Sequence, residues 1–214
     1  MKYKLIDLQR DVRIAIDENM VSTALLGEGD IDTLGLNEII LSKIVDAARA
    51  VCEAAPTHML GRGEPFAESI KWKHARGIGM GSIHLPDDFM RLITFQMSDW
   101  SRAVTTAISE DSPQYALQCS RYPGISGNPQ NPVVAITVQP IGLVLEFYGC
   151  SAGDAAFVRR ARYLPYPRVE HGETDLPERL RTSIVYYTAY LTALSVGNNE
   201  LASSMLNQSK EYMK

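Results

Sequence analysis

The distribution of proline constrains the fold of this chain most. Nine of its eleven prolines lie between residues 64 and 167, where short apolar runs end at Gly, Asp or Asn. A proline inside a helix removes a backbone hydrogen bond, and short runs bounded by turn residues are typical of β-strands. The flanking segments instead repeat apolar residues every three or four positions. The sequence therefore predicts helices at both ends and a β-rich middle.

Two helices are predicted before Pro56. The first spans about residues 5–19. A link rich in Gly and Asp follows, and Asp32 or Thr33 can cap the second helix, which runs to about residue 55. Their apolar faces are predicted to contain Leu8, Val12, Ala15, Leu36, Ile40, Ile44, Ala47 and Val51.

The end of the chain reads as a helical hairpin. Helices are predicted over about 176–196 and from about 200 to 214, separated by Gly197-Asn198-Asn199, because Gly and Asn tolerate the left-handed conformation that ends a helix. The apolar stripes are Leu180, Ile184, Tyr187, Leu191 and Leu194 on the first helix, and Leu201, Met205, Leu206 and Tyr212 on the second. We expect Ile184, Leu191 and Leu206 to be core residues.

Six strands are predicted in the middle segment. They are residues 69–73, 82–85, 89–97, 133–139, 143–148 and 156–163. A short helix is predicted over 112–120, with Ser112 as its cap and Pro113 at its first position. The segment 122–131 is dense in Gly, Asn and Pro and is predicted to be a loop.

These elements predict an α+β fold. The N- and C-terminal helical hairpins are too few to bury their apolar stripes separately, so we expect them to pack together as a helical bundle formed by residues 1–63 and 168–214. Residues 64–167 would then be a large β-rich insertion. The length of 214 residues suits one large domain or one domain carrying an inserted one.

Composition limits the function classes. The formal net charge of −4 argues against a surface built to bind nucleic-acid phosphates. Arg159, Arg160 and Arg162 form one local basic group, for which a solvated or ion-paired strand edge is favoured over a nucleic-acid patch. The charged N-terminus does not read as a signal peptide, and no run reaches the apolar length of a membrane span. The three cysteines lack C-x-x-C spacing and are predicted to be buried thiols in a reducing compartment.

Two motifs resemble catalytic or phosphate-binding sequences. Gly149-Cys150-Ser151-Ala152-Gly153 matches the G-x-S-x-G nucleophile elbow, with His171 downstream, but a strand rather than a helix is predicted to follow it, which favours a hairpin turn. Gly77, Gly79 and Gly81 alternate between strand patterns with no Lys-Ser/Thr after them, so a flexible hairpin tip is favoured over a phosphate loop.

The remaining polar groups do not form a site by spacing. Glu28, Asp30 and Asp32 resemble the start of a calcium loop, but position twelve is Leu41, so helix capping is the better interpretation. The four histidines, at positions 58, 74, 84 and 171, lack zinc-ligand spacing. We therefore predict no catalytic, cofactor-binding or metal-binding residues and no enzymatic activity.

Aromatic residues are frequent in the middle segment. They are Trp72, Trp100, Tyr115, Tyr122, Tyr148, Tyr163 and Tyr166. Such a group can form a ligand surface, but it is more often core plus a protein interface.

The whole pattern resembles the neck proteins of tailed bacteriophages, the adaptor, ring or gatekeeper proteins of the head-to-tail connector. The resemblance rests on four sequence segments. The first two are Asp32-Thr33-Leu34 leading into Asn37-Glu38-Ile39-Ile40, and Leu85-Pro86-Asp87-Asp88-Phe89-Met90-Arg91-Leu92. The other two are Leu145-Glu146-Phe147-Tyr148, and Ala189-Tyr190-Leu191-Thr192-Ala193 with its Asn-rich turn and final helix. The β segment is larger than in the adaptors of short-tailed phages.

The resemblance implies a virion structural protein assembled in the host cytoplasm. Its partners would be further copies of itself, in a ring of roughly twelve around an axis, together with the portal protein and tail or other neck proteins. It implies no membrane contact, and DNA only as the passing contents of the channel. We expect the loops 76–81 and 122–131 to adapt to a neighbouring ring. The alternative is a cytoplasmic ligand- or peptide-binding module that uses the aromatic β surface.

Overall fold

The computed structural model describes residues 1–17, 35–66, 69–75, 78–118, 120, 122, 125–151 and 155–214. Contacts between residues divide the chain into two compact units. Unit 1 consists of residues 1–61 and 166–214, and unit 2 of residues 62–165. The helices of the described residues are α1 (Leu5–Asp17), α2 (Leu36–Ala54), α3 (Pro113–Gln118), α4 (Arg181–Ser195) and α5 (Asn199–Glu211).

Helix α4 lies at the centre of unit 1 and packs on α1, α2 and α5. The predicted apolar faces of α1 and α2 are buried at Leu8, Val12, Ile40 and Ile44. Helix α2 begins after Gly35, whose N–H donates to the Glu38 carboxylate at 3.1 Å, which satisfies one of the free donors of a helix start. The predicted caps Asp32 and Thr33 lie outside the described residues.

Unit 1 also contains a small antiparallel sheet that the sequence did not predict. Its strands are β1 (Lys2–Lys4), β10 (Val169–Glu170) and β11 (Glu173–Asp175), with β11 in the middle. Opposite charges face each other where Lys2 pairs with Asp175 and Lys4 with Glu173.

The prediction of a helical bundle is wrong. The described N-terminal helix α1 has only 13 residues. The residues just before α1 form strand β1, and residues 169–175, before α4, form β10 and β11, so these segments build a sheet instead of further helical turns. The missed signal is the pair His171-Gly172, with φ of 52° and 79°, because two positive φ values in sequence are what a tight hairpin turn needs. The fold is α+β with three sheets among the described residues and helices at both ends.

Unit 2 contains two sheets. Its strands are β2 (Glu64–Pro65), β3 (Ile70–Ala75), β4 (Ile78–His84), β5 (Phe89–Met97), β6 (Ile108–Ser109), β7 (Val133–Gln139), β8 (Gly142–Cys150) and β9 (Val158–Pro165). One sheet has the order β2-β9-β5 and the other β3-β4-β8-β7-β6. All pairs are antiparallel except β6 with β7.

An aromatic core joins the two sheets of unit 2. Phe95 of β5 and Phe147 of β8 are fully buried, with ring centroids 5.6 Å apart, and Trp100 contacts both rings. Strand β5 buries residues of both parities, Leu92 and Phe95 among them, because the register with β9 shifts between Leu92 and Thr94. The predicted bounds of this strand are correct.

Candidate assembly surfaces

The G-x-S-x-G motif places its serine against a carboxylate. Ser151 directly follows β8, and its N–H and hydroxyl both donate to Asp99 Oδ2, at 2.6 and 3.2 Å. The chain is again a strand from Val158, whereas a nucleophile elbow needs a helix after the serine. His171 lies in unit 1, in the turn between β10 and β11. The motif begins in the last residues of β8, but β8 and β9 belong to different sheets, so the predicted hairpin turn is wrong.

The alternating glycines allow close packing and are not a flexible tip. Gly79 and Gly81 lie within β4, and Gly77 lies outside the described residues. A Cβ at Gly79 would come within 2.3 Å of the Cys150 carbonyl oxygen, and one at Gly81 within 2.5 Å of Phe147 Cζ. Both positions thus require a residue without a side chain.

The tyrosines of unit 2 mostly support the fold. Tyr148 and Tyr115 both donate to the buried Glu146 Oε2, at 2.6 and 3.1 Å, which ties α3 to β8. Burial, and then the negative charge of Glu146, raise the pKa of both phenols. Tyr163 donates to the buried Asp88 at 3.0 Å. Tyr148 and Tyr163 are hydrogen-bonded core residues and Tyr115 is half-buried, so the three phenols leave little aromatic surface for a ligand.

The basic group on β9 is divided between an open and a covered part of the strand. Strand β9 is the middle strand of its sheet, and Arg162 Nη1 donates to the carbonyls of Arg62 and Gly63 at 3.4 and 3.3 Å. Arg159 and Arg160 are exposed. Among the described residues, strand β2 pairs only with Arg162 and Tyr163 of β9. The interpretation as a solvated strand edge therefore fits Arg159 and Arg160 but is wrong for Arg162, which holds the backbone at residues 62–63.

The loops expected to adapt to a neighbouring ring are partly buried. Ser126 is 5% exposed, and the N–H of Gly127 donates to Gln118 Oε1 at 2.8 Å. A Cβ on Gly149 would lie 2.6 Å from the N atom of Asn128, so this loop packs closely on β8. Residues 79–81 belong to β4. The described parts of both loops are thus built into unit 2.

A different segment of unit 2 exposes apolar side chains on a rigid turn. We call residues 138–142, at the end of the β7–β8 hairpin, the hairpin tip. Val138 is 76% and Ile141 is 58% exposed. Gly142 has φ of 116°, and His84 Nε2 donates to the Ile141 carbonyl at 2.6 Å. The turn is therefore fixed although its side chains face solvent.

Helix α4 of unit 1 carries a second set of apolar side chains at its surface. We call Tyr187, Tyr190, Leu191 and Leu194 the outer strip. The last three lie three, four and seven residues after Tyr187, which places all four on one helix face. Leu194 is 42% exposed and the other three are half-buried. The rings of Tyr187 and Tyr190 meet edge to face at 5.2 Å. The helix buries mainly small and polar residues on its opposite side, including Thr188, Ala189, Thr192 and Ala193.

The described residues contain no cluster of three or more His, Cys, Asp or Glu side chains that could hold a metal ion. None of the helices in the described ranges combines the length and apolar character that crossing a bilayer requires. The thiols of Cys52 and Cys150 are buried, and Cys119 is outside the described residues. No protein-family model and no curated protein matches the chain.

Proposed function

We propose that this protein is a virion structural protein, a subunit of an oligomeric ring in the head-to-tail connector of a tailed bacteriophage. In this position it would link the portal to the tail. The proposal starts from the sequence resemblance to adaptor, ring and gatekeeper proteins. Its expected partners are further copies of the chain, the portal protein and other neck or tail proteins.

The observation that carries the proposal is apolar surface held by rigid elements in both units. The hairpin tip exposes Val138 and Ile141 in unit 2, and the outer strip exposes Leu194 in unit 1. Neither surface lies in a long, loosely packed loop. A ring subunit needs two different surfaces, one for each neighbour, because its contacts are head-to-tail. Side chains that are already fixed lose little conformational entropy when a partner covers them.

The alternative of an aromatic ligand-binding surface has less support. Trp100, Phe147 and Tyr163 are at most 4% exposed, and Trp72 packs edge to face on Phe147 at 5.5 Å. An aromatic side chain in a core contributes to stability and offers no face to a ligand. The exposed tyrosine that remains, Tyr122, has no aromatic partner among the described residues.

The test combines assembly in solution with location in the particle. We expect electron micrographs of the purified protein, alone or mixed with its portal protein, to contain closed rings. We also expect antibodies against the chain to label the neck of phage particles. Protein that stays monomeric in both preparations, together with necks that are not labelled, would exclude the proposal. Labelling confined to tail fibres or to the capsid shell would also contradict it.

A matched pair of variants separates specific assembly from a general effect of added charge. Ile141→Asp places a carboxylate on the exposed hairpin tip, and Ser204→Asp places one on the exposed face of α5. Both should fold, because neither side chain is buried. We expect Ile141→Asp to abolish ring formation, and Ser204→Asp to assemble like the parent chain.

A further inference from the structure

We propose that the hairpin tip of one copy docks on the outer strip of α4 in the next copy. This inference rests on the proposed function, since a ring is what requires one surface of each subunit to meet a different surface of its neighbour. It specifies the occupant of both surfaces, which the proposed function leaves open. The contact joins unit 2 of one copy to unit 1 of another.

Charge selects the outer strip among the helix faces of unit 1. No charged residue occurs between Tyr122 and Leu145, the stretch that contains the hairpin tip. The outer strip lies in a second uncharged stretch, from Thr182 to Asn199. A contact between these two segments buries no ion.

The other three helices of unit 1 carry charges of both signs. These are Asp7, Arg10, Asp11, Arg13 and Asp17 on α1, Glu38, Lys43, Asp46, Arg49 and Glu53 on α2, and Glu200, Lys210 and Glu211 on α5. Covering such charges with an apolar tip would remove them from water without providing a partner, which is costly. The middle of α5, residues 201–209, is also uncharged, but its exposed side chains are polar and would lose water against an apolar tip. The outer strip combines the absence of charge with apolar side chains.

The shapes of the two surfaces also correspond. The tip presents Val138, near the end of β7, and Ile141, in the two-residue turn that joins the paired residues Gln139 and Gly142. Side chains three and four residues apart on a helix are separated by roughly 5–6 Å, which leaves a groove between successive turns of the strip. The two tyrosine rings on the strip supply broad apolar faces with hydroxyl groups that can remain in water.

The hydrogen bond from His84 to the Ile141 carbonyl and the positive φ of Gly142 hold the tip in its conformation before docking. The tip therefore acts as a preformed knob, and its partner must supply the matching groove. A rigid knob favours one binding geometry, as a closed ring requires. The contact covers only a few residues on each side, so it anchors a larger interface and is not the whole of it.

Site-directed disulfide formation tests the contact. One chain carries Ile141→Cys and a second carries Leu194→Cys, both in a background with Cys119→Ser. The two are mixed, assembled and treated with a mild oxidant. We expect a dimer that contains one chain of each kind to form roughly 100-fold faster than from unassembled chains, because docking raises the effective concentration of the two thiols. Particles that carry both variants should yield the same dimer.

The control replaces Leu194→Cys by Ile14→Cys. Ile14 is similarly exposed, at 46% against 42%, but it lies on α1 between charged residues. We expect Ile14→Cys to give no more dimer with Ile141→Cys than unassembled chains do. Equal yields from both pairs would overturn the proposed contact.

A charge exchange gives an independent test. Ile141→Lys and Leu194→Asp should each abolish ring formation, and a chain carrying both should recover it, because the ammonium and carboxylate then meet in the contact. If rings form but neither cross-link nor recovery is observed, the inference is wrong and the proposed function stands. If neither rings nor labelled necks are found, the proposed function fails, and the inference fails with it.

Discussion

Gly81 shows how one missing side chain determines the packing between two strands of unit 2. An added Cβ would lie 2.5 Å from Phe147 Cζ, closer than real Cβ contacts, and the Phe147 ring is fully buried. We expect Gly81→Ala to lower the free energy of unfolding by about 1–3 kcal/mol through overpacking. Urea denaturation measures this.

The control for Gly81→Ala is the same substitution in a Phe147→Leu background. Leucine is shorter than the ring, so the contact at Cζ is absent and alanine should cost less there. An equal cost in both backgrounds would show that the clash is not the cause.

Cys150 provides a second prediction at this scale. Burial, and then the nearby Asp99 carboxylate, raise the pKa of its thiol from 9.0 to about 12. The thiolate is the reactive form, so we expect no alkylation of Cys150 by iodoacetamide at pH 8 while the chain is folded. Peptide mass spectrometry locates the modified residue, and protein unfolded in urea is the control that must react. Rapid modification of folded protein would contradict the environment described.

The same shift fixes the direction of a pH effect. The folded-state pKa of Cys150 lies above its ordinary value, so the folded state favours the neutral thiol. The resulting stabilisation is fully present below about pH 9 and is lost as the pH rises towards 12.

At the scale of elements, helix α4 shows where periodicity succeeds and where it fails. The sequence predicted a stripe that runs from Leu180 through Leu191 to Leu194. Leu180 and Ile184 are buried, but Leu191 is half-buried and Leu194 is exposed. The buried face consists largely of Ser, Thr and Ala, because α4 packs on three helices and small side chains allow them to approach closely. Hydrophobicity alone cannot identify such a face.

A pair of substitutions on α4 tests this assignment. Ile184 is 1% exposed and Leu194 is 42% exposed. We expect Ile184→Ala to destabilise the protein by about 2–5 kcal/mol, from lost burial and the cavity that remains. Leu194→Ala should cost less than about 1 kcal/mol in the unassembled chain, because 42% of this residue stays exposed after folding and no closed cavity forms around it. Chemical denaturation of the two variants side by side measures the difference, and equal losses would place both residues in the core.

Hydrogen bonds across α4 and α5 were also not predictable from the sequence. Ser183 Oγ donates to the Ser209 carbonyl at 3.0 Å, and Ser209 Oγ donates to the Ser183 carbonyl at 2.9 Å. The two residues are 26 positions apart, and each serine alone looks like a surface residue. The sequence placed Asn198 in the turn between the two helices. In the structure its side chain accepts from Leu201 N at 3.1 Å and caps α5, a role that Asn commonly has.

Local turn and strand signals identified most of the longer elements. Strands β5 and β7 have the predicted bounds, and Ser112 Oγ accepts from Gln114 N at the start of α3. The five short strands β1, β2, β6, β10 and β11 were missed, because two or three residues carry no periodicity and depend on a partner far along the chain. The hairpin tip was missed as a surface because Val138 fits a strand pattern whether it is buried or exposed, and Ile141 lies between the predicted strands 133–139 and 143–148.

At the scale of the whole molecule, unit 2 is a continuous segment with its own core. Residues 62–165 contain both sheets joined by the Phe95–Phe147 contact, and both tryptophans of the chain. A segment that buries its own apolar core can fold alone. We expect a fragment of residues 62–165 to unfold cooperatively in urea, with the blue-shifted emission of a buried Trp100. Tryptophan fluorescence measures this directly.

The matched control for this fragment is the same segment with Phe147→Ala. Phe147 contacts Phe95, Trp72 and Trp100, so its removal should cost about 3–5 kcal/mol, a large part of the stability of a domain of this size. We expect the variant fragment to show red-shifted emission and no cooperative transition. If the parent fragment already behaves in this way, unit 2 depends on residues of unit 1 for folding. If the variant is as stable as the parent fragment, the aromatic contacts do not form the core that supports the two sheets.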